Sequence, residues 1–329
     1  MKPTQEMNDL LMKMGSKRRS DSLEAAAQIA VALEMPLRKG VLSGDIVGDI
    51  FERVTFAPGV TPEFPLDLLA PGTEKDHVAY TISFHGGIPE RSVESDYVTV
   101  PTFDVGNSID WLLRYAEEAR WDVVNRALQV MEAGFIKKHN DDGWHVILAG
   151  AVDRNIMVYD NAANAGQFTK RLVSLMKTVM RRNGGGNSTS VNRGKLTDLY
   201  ISPEGMEDIR DWGVDQVDEV TRREIFTAED GRINRIFSVN LHDIDEFGVS
   251  QEYQNFFTSD LSGSLETSDV ELVVGLDLSN NDSFMWPVKK EIEIFEDETL
   301  HRKQRAGYYS WERYGVMLAD NRRCIAASF

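Results

Sequence analysis

The sequence predicts an α+β protein in which an N-terminal arm and a β-ribbon extend from a mixed body. Three observations support this prediction: a helical pattern over residues 107–139, a proline-rich segment with two strand-like runs, and a series of short strands in the C-terminal half. The chain has 329 residues, of which 42% are hydrophobic and 27% are charged. This composition is ordinary for a folded protein, and the length allows about two domains.

Residues 107–139 form the longest helical pattern, with no proline and with Gly134 as the one internal glycine. A helix of this size extends for about 45 to 50 Å at 1.5 Å per residue. We interpret it as a one-sided strut on a broad, flat surface. A coiled coil is the alternative, but the heptad is kept for too few turns. Apolar residues recur every three or four positions, as on one buried helix face; they are Ile109, Leu112, Leu113, Ala116, Val123, Ala127, Val130 and Gly134.

Residues 54–104 differ in character, because prolines and glycines alternate there with short β-type runs. Residues 77–84 and 97–103 alternate as strands do, and the segment between them is typical of a loop. Two strands without a helix cannot form a core, and an isolated two-stranded ribbon is marginally stable in water. We therefore expect this segment to lean on another surface. Its prolines are Pro58, Pro62, Pro65, Pro71, Pro89 and Pro101.

Residues 1–53 are a polar lead-in with helical pieces. The pattern predicts a helix over residues 23–35, capped by Asp21 or Ser22 and ended by Pro36. The segment is too short and too little apolar to be a domain. It is either a flexible tail or an arm that packs on something else.

The remaining sequence predicts a body that mixes helices and strands. An amphipathic helix covers about residues 168–179, and the runs at 235–248, 269–280, 288–297 and 313–329 are typical of strands. Residues 196–202 predict a strand that leads directly into a helix. For that helix we expect Ser202 as the N-cap, Pro203 at the first helical position and Gly213 after the last turn.

The charge of the chain limits the classes of function. A net charge of −17 argues against a nucleic-acid reader, because phosphate binding needs clusters of Lys and Arg. The N-terminus lacks the apolar core of a signal peptide, and no run approaches eighteen apolar residues. We therefore expect neither secretion nor a membrane span. A single cysteine excludes an intrachain disulfide and fits a reducing compartment.

Two places in the chain offer candidate chemistry, and neither is strong. Residues 242–246 could present His242 and two carboxylates in one short stretch, which suggests a metal-dependent hydrolase as an alternative function. Strand alternation, however, directs His242 and Glu246 to the opposite side from Asp243 and Asp245, which favours a solvated strand end. Cys324 has no histidine nearby in sequence. We therefore expect no catalysis, no cofactor and no metal.

The order of these parts resembles the major capsid proteins of tailed bacteriophages, which share the Hong Kong 97-type fold. Residues 64–103 resemble the E-loop of that family. Residues 107–148 resemble its spine helix with the exit from it, and residues 196–212 resemble the strand and helix of its A-domain. The resemblance extends from about Phe51 to the end of the chain, and it is specific in combination.

The resemblance implies a division of the chain into five parts. They are an N-terminal arm (1–53), an E-loop β-ribbon (54–104), a P-domain spine helix and exit (105–150), an A-domain (151–284) and closing strands that return to the P-domain (285–329). An encapsulin-type nanocompartment has the same fold and is the alternative within it.

The resemblance also implies a structural function. Hexamers and pentamers of the chain would form an icosahedral head around double-stranded DNA, within the virion, after assembly in the host cytoplasm. Scaffolding, portal and cementing proteins are the further partners it implies. Rings need two different complementary patches per subunit, which an arm and a ribbon supply. As ribbon anchors against a neighbouring subunit we expect Phe64, Leu66, Leu68 and Leu69.

Overall fold

A computed structural model describes residues 5–16, 18–44, 46–65, 97–118, 120–183, 194–212, 235–265, 270–279 and 283–329. The chain divides into two compact units. Unit one contains residues 1–63, 99–143 and 285–316, and unit two contains residues 64–98, 144–284 and 317–329.

The helices and strands are as follows in chain order. The helices are α1 (Gln5–Met14), α2 (Arg19–Gly44), α3 (Ile46–Ile50), α4 (Leu113–Glu117), α5 (Trp121–Asp153), α6 (Lys170–Asn183), α7 (Pro203–Asp211) and α8 (Glu252–Asn255). The strands are β1 (Glu52–Thr55), β2 (Glu63–Pro65), β3 (Tyr97–Thr99), β4 (Phe103–Leu112), β5 (Met157–Tyr159), β6 (Asp198–Ile201), β7 (Arg235–Ile236), β8 (Val239–Asp243), β9 (Leu272–Leu276), β10 (Phe284–Glu296), β11 (Arg305–Tyr314), β12 (Met317–Leu318) and β13 (Cys324–Ser328).

Unit one packs helices on a sheet in which the strands β1, β10, β11 and β4 are neighbours in that order. β1 runs parallel to β10, and β4 and β11 are antiparallel over their full length, from Phe103 opposite Tyr314 to Leu112 opposite Arg305. The core joins side chains from α1, α2, α5 and this sheet. Its largest buried members include Trp111, Trp121, Phe135 and Tyr308.

The predicted start of the long helix is wrong. Residues 107–112 belong to β4, and the helix α5 begins at Trp121 and continues to Asp153. The burial along β4 alternates, with Ile109 and Trp111 more covered than Ser108 and Asp110. That alternation is the signature of a strand, but the same segment also satisfies a three-and-four spacing. Pairing with β11, about two hundred residues away, decides between the two.

The buried face of α5 is rotated relative to the predicted face. Val130 is 55% exposed, although it was placed in the predicted stripe, whereas the neighbouring Met131 is fully buried. One residue corresponds to about 100° around a helix, so a shift by one position selects a different face. Ala127 is common to both patterns. The observed stripe is Trp121, Val124, Ala127, Met131, Phe135, His139, Trp144, Ile147, Leu148 and Ala151.

The N-terminal helices pack on the body of the same chain, so of the two alternatives left open by the sequence the packed arm is correct. The predicted limits of the second helix are wrong: α2 begins at Arg19 and passes through Pro36. Proline removes one helical hydrogen bond, but Leu37 and Val41 beyond it are buried in the core of unit one. Ser22 does not cap α2; its hydroxyl donates to the Met14 carbonyl at 2.6 Å.

Unit two is built on a mixed sheet with the strand order β5, β13, β9, β6, β8 and β7. Side chains alternate across its faces. Leu199 and Ile201 of β6 join the core under α6 and α7. Tyr200, between them, packs edge to face on Trp144 of α5, with the ring centroids 4.8 Å apart.

The predicted strand-to-helix junction is confirmed. β6 ends at Ile201, and α7 follows from Pro203 with Ser202 as its N-cap. The Ser202 hydroxyl accepts a hydrogen bond from the Gly205 amide at 3.1 Å, as an N-cap side chain does. Gly213 lies outside the described residues. The division into arm, E-loop, P-domain and A-domain stays a prediction.

Candidate functional site

The four predicted ribbon anchors fall in two groups. Phe64 lies in β2 and is 8% exposed, so its ring is covered within the chain itself. Leu66, Leu68 and Leu69 lie outside the described residues, so their role in assembly stays a prediction. For Phe64, little apolar surface remains for a neighbouring subunit to cover, and the predicted contact now depends on the three leucines.

The base of the predicted ribbon is a pair of short strands. β2 and β3 pair with each other, and the Val100 amide donates to the Pro62 carbonyl at 3.0 Å. The residues that flank 66–96 therefore belong to two paired strands. Tyr97 is 63% exposed in β3. An exposed aromatic ring at the base of the predicted ribbon is suited to contact with another chain.

The N-terminal helices have one covered face and one open face. Leu33 and Leu37 of α2 are buried in unit one, whereas Val31 and Met35 on its other side are exposed, Val31 to 72%. Scattered apolar side chains on a surface are common, but two neighbouring ones on a single helix form a local apolar patch.

The candidate metal cluster is not assembled. His242 Nε2 lies 3.0 Å from the Asp198 carboxylate on the neighbouring strand, and its ring stacks on Tyr200. Burial opposes ionisation of Asp198, but hydrogen bonds from His242, Asn240 and Thr197 outweigh it and lower the pKa of that carboxyl. Within the described ranges, no group of three or more His, Cys, Asp or Glu side chains could hold a metal ion.

Cys324 lies fully buried in β13. Burial raises the pKa of its thiol to about 12, although the nearby Arg154 guanidinium opposes this shift. The thiol is therefore protonated at neutral pH, and the thiolate that nucleophilic chemistry needs is not formed. The Cys324 carbonyl has a structural role instead, because it accepts a hydrogen bond from Arg154 at 2.5 Å.

Three buried polar pairs hold elements together and were not predicted from the sequence. His139 of α5 contacts Glu312 of β11 at 2.5 Å, and both are almost fully buried. In unit two, Asp277 pairs with Arg323. The Ser202 hydroxyl donates to Glu271, whose pKa is raised by burial. The partners are between 46 and 173 residues apart, so no local pattern could identify them.

No helix in the described part of the chain has both the length and the apolar character needed to cross a membrane.

No protein-family description matches the sequence, and no curated protein matches it. Solved structures do match over most of the chain. A structure from Microbacterium phage Oxtober96 shares 9% identity and superposes with a TM-score of 0.59, covering 87% of this chain and 90% of the other. The capsid asymmetric unit of cyanophage Pam1 shares 13% identity with a TM-score of 0.57, covering 85% and 88%.

A third similar structure is the acid-stable capsid of Helicobacter pylori bacteriophage KHP30, with 11% identity, a TM-score of 0.54 and coverage of 86% and 91%. At such low identity the similarity is one of fold. It includes both units and nearly the whole length of each matched chain. The chain therefore has the Hong Kong 97-type fold of tailed-bacteriophage capsid proteins, as its sequence resemblance predicted.

Proposed function

We propose that this chain is the major subunit of a phage head, in which hexamers and pentamers of it form an icosahedral shell around double-stranded DNA. One observation carries the proposal: the similarity to the Pam1 capsid covers 85% of this chain and 88% of the other, so most of each chain is matched. The function of such a subunit is assembly, without catalysis or cofactor. It belongs in the virion, after assembly in the host cytoplasm.

The proposal includes partners other than the chain itself. Scaffolding, portal and cementing proteins would contact the shell during or after assembly. The excess of negative charge suits a container, because a wall that held DNA tightly would hinder filling and release. An encapsulin-type compartment has the same fold, but no observation on this chain favours it. The hydrolase alternative loses its support, since His242 is engaged by Asp198.

A ribbon replacement tests the proposal. Residues 66–96 are replaced by a short Gly/Ser linker, while β2 and β3 are kept because they pair with each other. We expect the body to stay folded, since loop length changes the free energy of unfolding by only about 0.6 kcal/mol per doubling. Assembly should fail, because each apolar anchor contributes about 25 cal/mol per Å² of buried surface.

The measurements are circular dichroism with a thermal melt for folding, and light scattering for assembly. A full-length variant with Leu66, Leu68 and Leu69 changed to serine is the matched control, because it removes the anchors and keeps the loop length. It should lose assembly as well. Closed shells from the linker variant would show that the ribbon is not an assembly element, and an unfolded linker variant would place it in the core.

A further inference from the structure

One part of this acidic chain carries no acidic residue. The sequence has 53 Asp and Glu residues in total, yet none occurs between Asp160 and Asp198. The same stretch contains seven cationic residues, of which five belong to α6: Lys170, Arg171, Lys177, Arg181 and Arg182. A segment of one charge sign in a chain of the opposite sign indicates a dedicated electrostatic surface.

The cations of α6 lie on the side of the helix that faces away from the sheet. Leu172, Val173, Met176 and Met180 are buried in the core of unit two, which fixes the orientation of the helix. Lys177 donates to the Phe237 carbonyl at 2.7 Å, and Arg171 lies 3.6 Å from Asp160.

The last turn of α6 carries two adjacent arginines. Arg181 and Arg182 are exposed, and neither forms an ion pair with any residue that the structure describes. A guanidinium group presents five donors in a planar fork that suits carboxylates. The tandem arginines therefore suit a carboxylate-bearing partner.

α7 has the complementary composition. It carries four carboxylates, Glu204, Glu207, Asp208 and Asp211, beside Arg210. In the described ranges none of the four forms an ion pair with a cation, although the Asp208 carboxylate accepts a hydrogen bond from the Phe168 amide at 2.7 Å. Burial raises the pKa of Asp208, and the neighbouring Asp211 and Glu207 charges raise it further. The repulsion within this acidic face is not relieved inside the described chain.

The two helices lie in the same layer of the molecule. Both contribute to the core on one face of the sheet of unit two, and the Trp212 indole after α7 donates to the Phe168 carbonyl just before α6 at 3.1 Å. A heterologous contact joins two different, complementary surfaces, and a basic helix face and an acidic helix face on one subunit are such a pair.

We propose that the basic face of α6 binds the acidic face of α7 on a second copy of this chain, as a repeating head-to-tail contact within a ring. The inference rests on the proposed function, and it adds to it which surfaces join neighbouring subunits. Charge complementarity identifies the second copy as the occupant. Because the contact is heterologous, the same pair of faces repeats from subunit to subunit, and it closes a ring when the rotation between neighbours divides a full turn.

A charge-exchange experiment tests the contact. The first variant, K177E/R181E/R182E, leaves two cations and three carboxylates on α6. The second, E207R/D211R, leaves two carboxylates and three arginines on α7. Each variant alone sets like charges against each other, and we expect the protein concentration needed for assembly to rise about tenfold, the equivalent of about 1.4 kcal/mol. In an equimolar mixture, a six-membered ring with alternating subunits joins opposite charges at every contact, so such rings should form at the wild-type concentration. A five-membered ring cannot alternate and keeps at least one contact between like charges.

The control is R126E/R302E/K303E, which reverses one lysine and two arginines that are exposed in unit one and lie outside the N-terminal arm. It should assemble like the wild type, and thermal melts should show that all three variants fold. Wild-type assembly should weaken between about 50 mM and about 500 mM salt, since salt screens exposed charges.

Three results would overturn the inference: an α6 variant that assembles like the control, a mixture that does not recover assembly, and an α6 variant that assembles normally but loses binding to a double-stranded DNA oligonucleotide. The last result would assign the basic face to DNA. In all three the wild type still assembles, so the proposed function stands. A wild-type chain that stays monomeric would overturn both proposals.

Discussion

Replacing Trp144 with alanine is expected to lower the free energy of unfolding by about 3 to 5 kcal/mol, in the range of large-to-small substitutions in well-packed cores. Trp144 lies in α5 and is 1% exposed. Its ring packs edge to face on Tyr200 and Phe247, with ring centroids 4.8 Å and 5.0 Å apart. Alanine removes these contacts and leaves a cavity between α5 and the sheet of unit two. Urea denaturation followed by circular dichroism measures the loss.

The matched control is Val130→Ala on the same helix. Val130 is exposed, so its loss should change the free energy of unfolding by no more than about 0.5 kcal/mol. If Trp144→Ala does not fold, Trp144→Phe replaces it, because phenylalanine keeps an aromatic ring at the site and should fold with a smaller loss. Equal stability of Trp144→Ala and Val130→Ala would show that the buried face of α5 is assigned wrongly.

Replacing Asp277 with alanine is the second substitution with a large expected effect. Its carboxylate lies 3.1 Å from the Arg323 guanidinium, and the two side chains are 0% and 2% exposed. It also accepts hydrogen bonds from the Lys195 and Ser279 amides. Removing one partner of a buried ion pair typically costs about 3 to 5 kcal/mol. The midpoint of thermal unfolding should fall accordingly.

A double substitution separates the charge effect from simple loss of packing. Changing Arg323 to methionine in the Asp277→Ala background removes the buried charge that has lost this carboxylate, and it should recover part of the lost stability. On the surface, Arg19→Ala breaks the exposed pair with Glu298 and should cost at most about 1 kcal/mol. If Asp277→Ala were as mild as Arg19→Ala, the buried pair would not contribute to the stability of unit two.

Local signals predicted the elements whose determinants are close together in the sequence. The junction between β6 and α7 needs Ser202, Pro203 and the residues beside them, and its cap forms as expected. The amphipathic pattern of α6 is equally local, and its apolar side chains are buried as the pattern indicated. Such elements are specified within one or two turns of chain.

Other elements depend on distant parts of the chain, and for these the helix limits predicted from local patterns were wrong. Residues 107–112 fit a helix as well as a strand until β11 supplies a pairing partner. Pro36 lies inside α2 because the core of unit one continues past it to Leu37 and Val41. In both cases tertiary packing outweighs the local preference.

The site could be predicted only in part for the same reason. Phe64 was identified as an apolar anchor, but its coverage within the chain depends on the fold. The pairs His139 with Glu312 and Asp277 with Arg323 join residues far apart in sequence. By contrast, the absence of acidic residues between Asp160 and Asp198 is visible in the sequence. The placement of α6 and α7 in one layer depends on the fold.

Electron microscopy of the purified full-length chain, in negative stain, tests the central claim most directly. We predict hollow shells, or sheets, tubes and rings built from hexamers and pentamers, for the chain alone or together with a scaffolding protein. The reason is the capsid fold, which extends over both units of the chain. A uniform population of 37.1 kDa monomers at high protein concentration, under all salt and crowding conditions tried, would contradict the account.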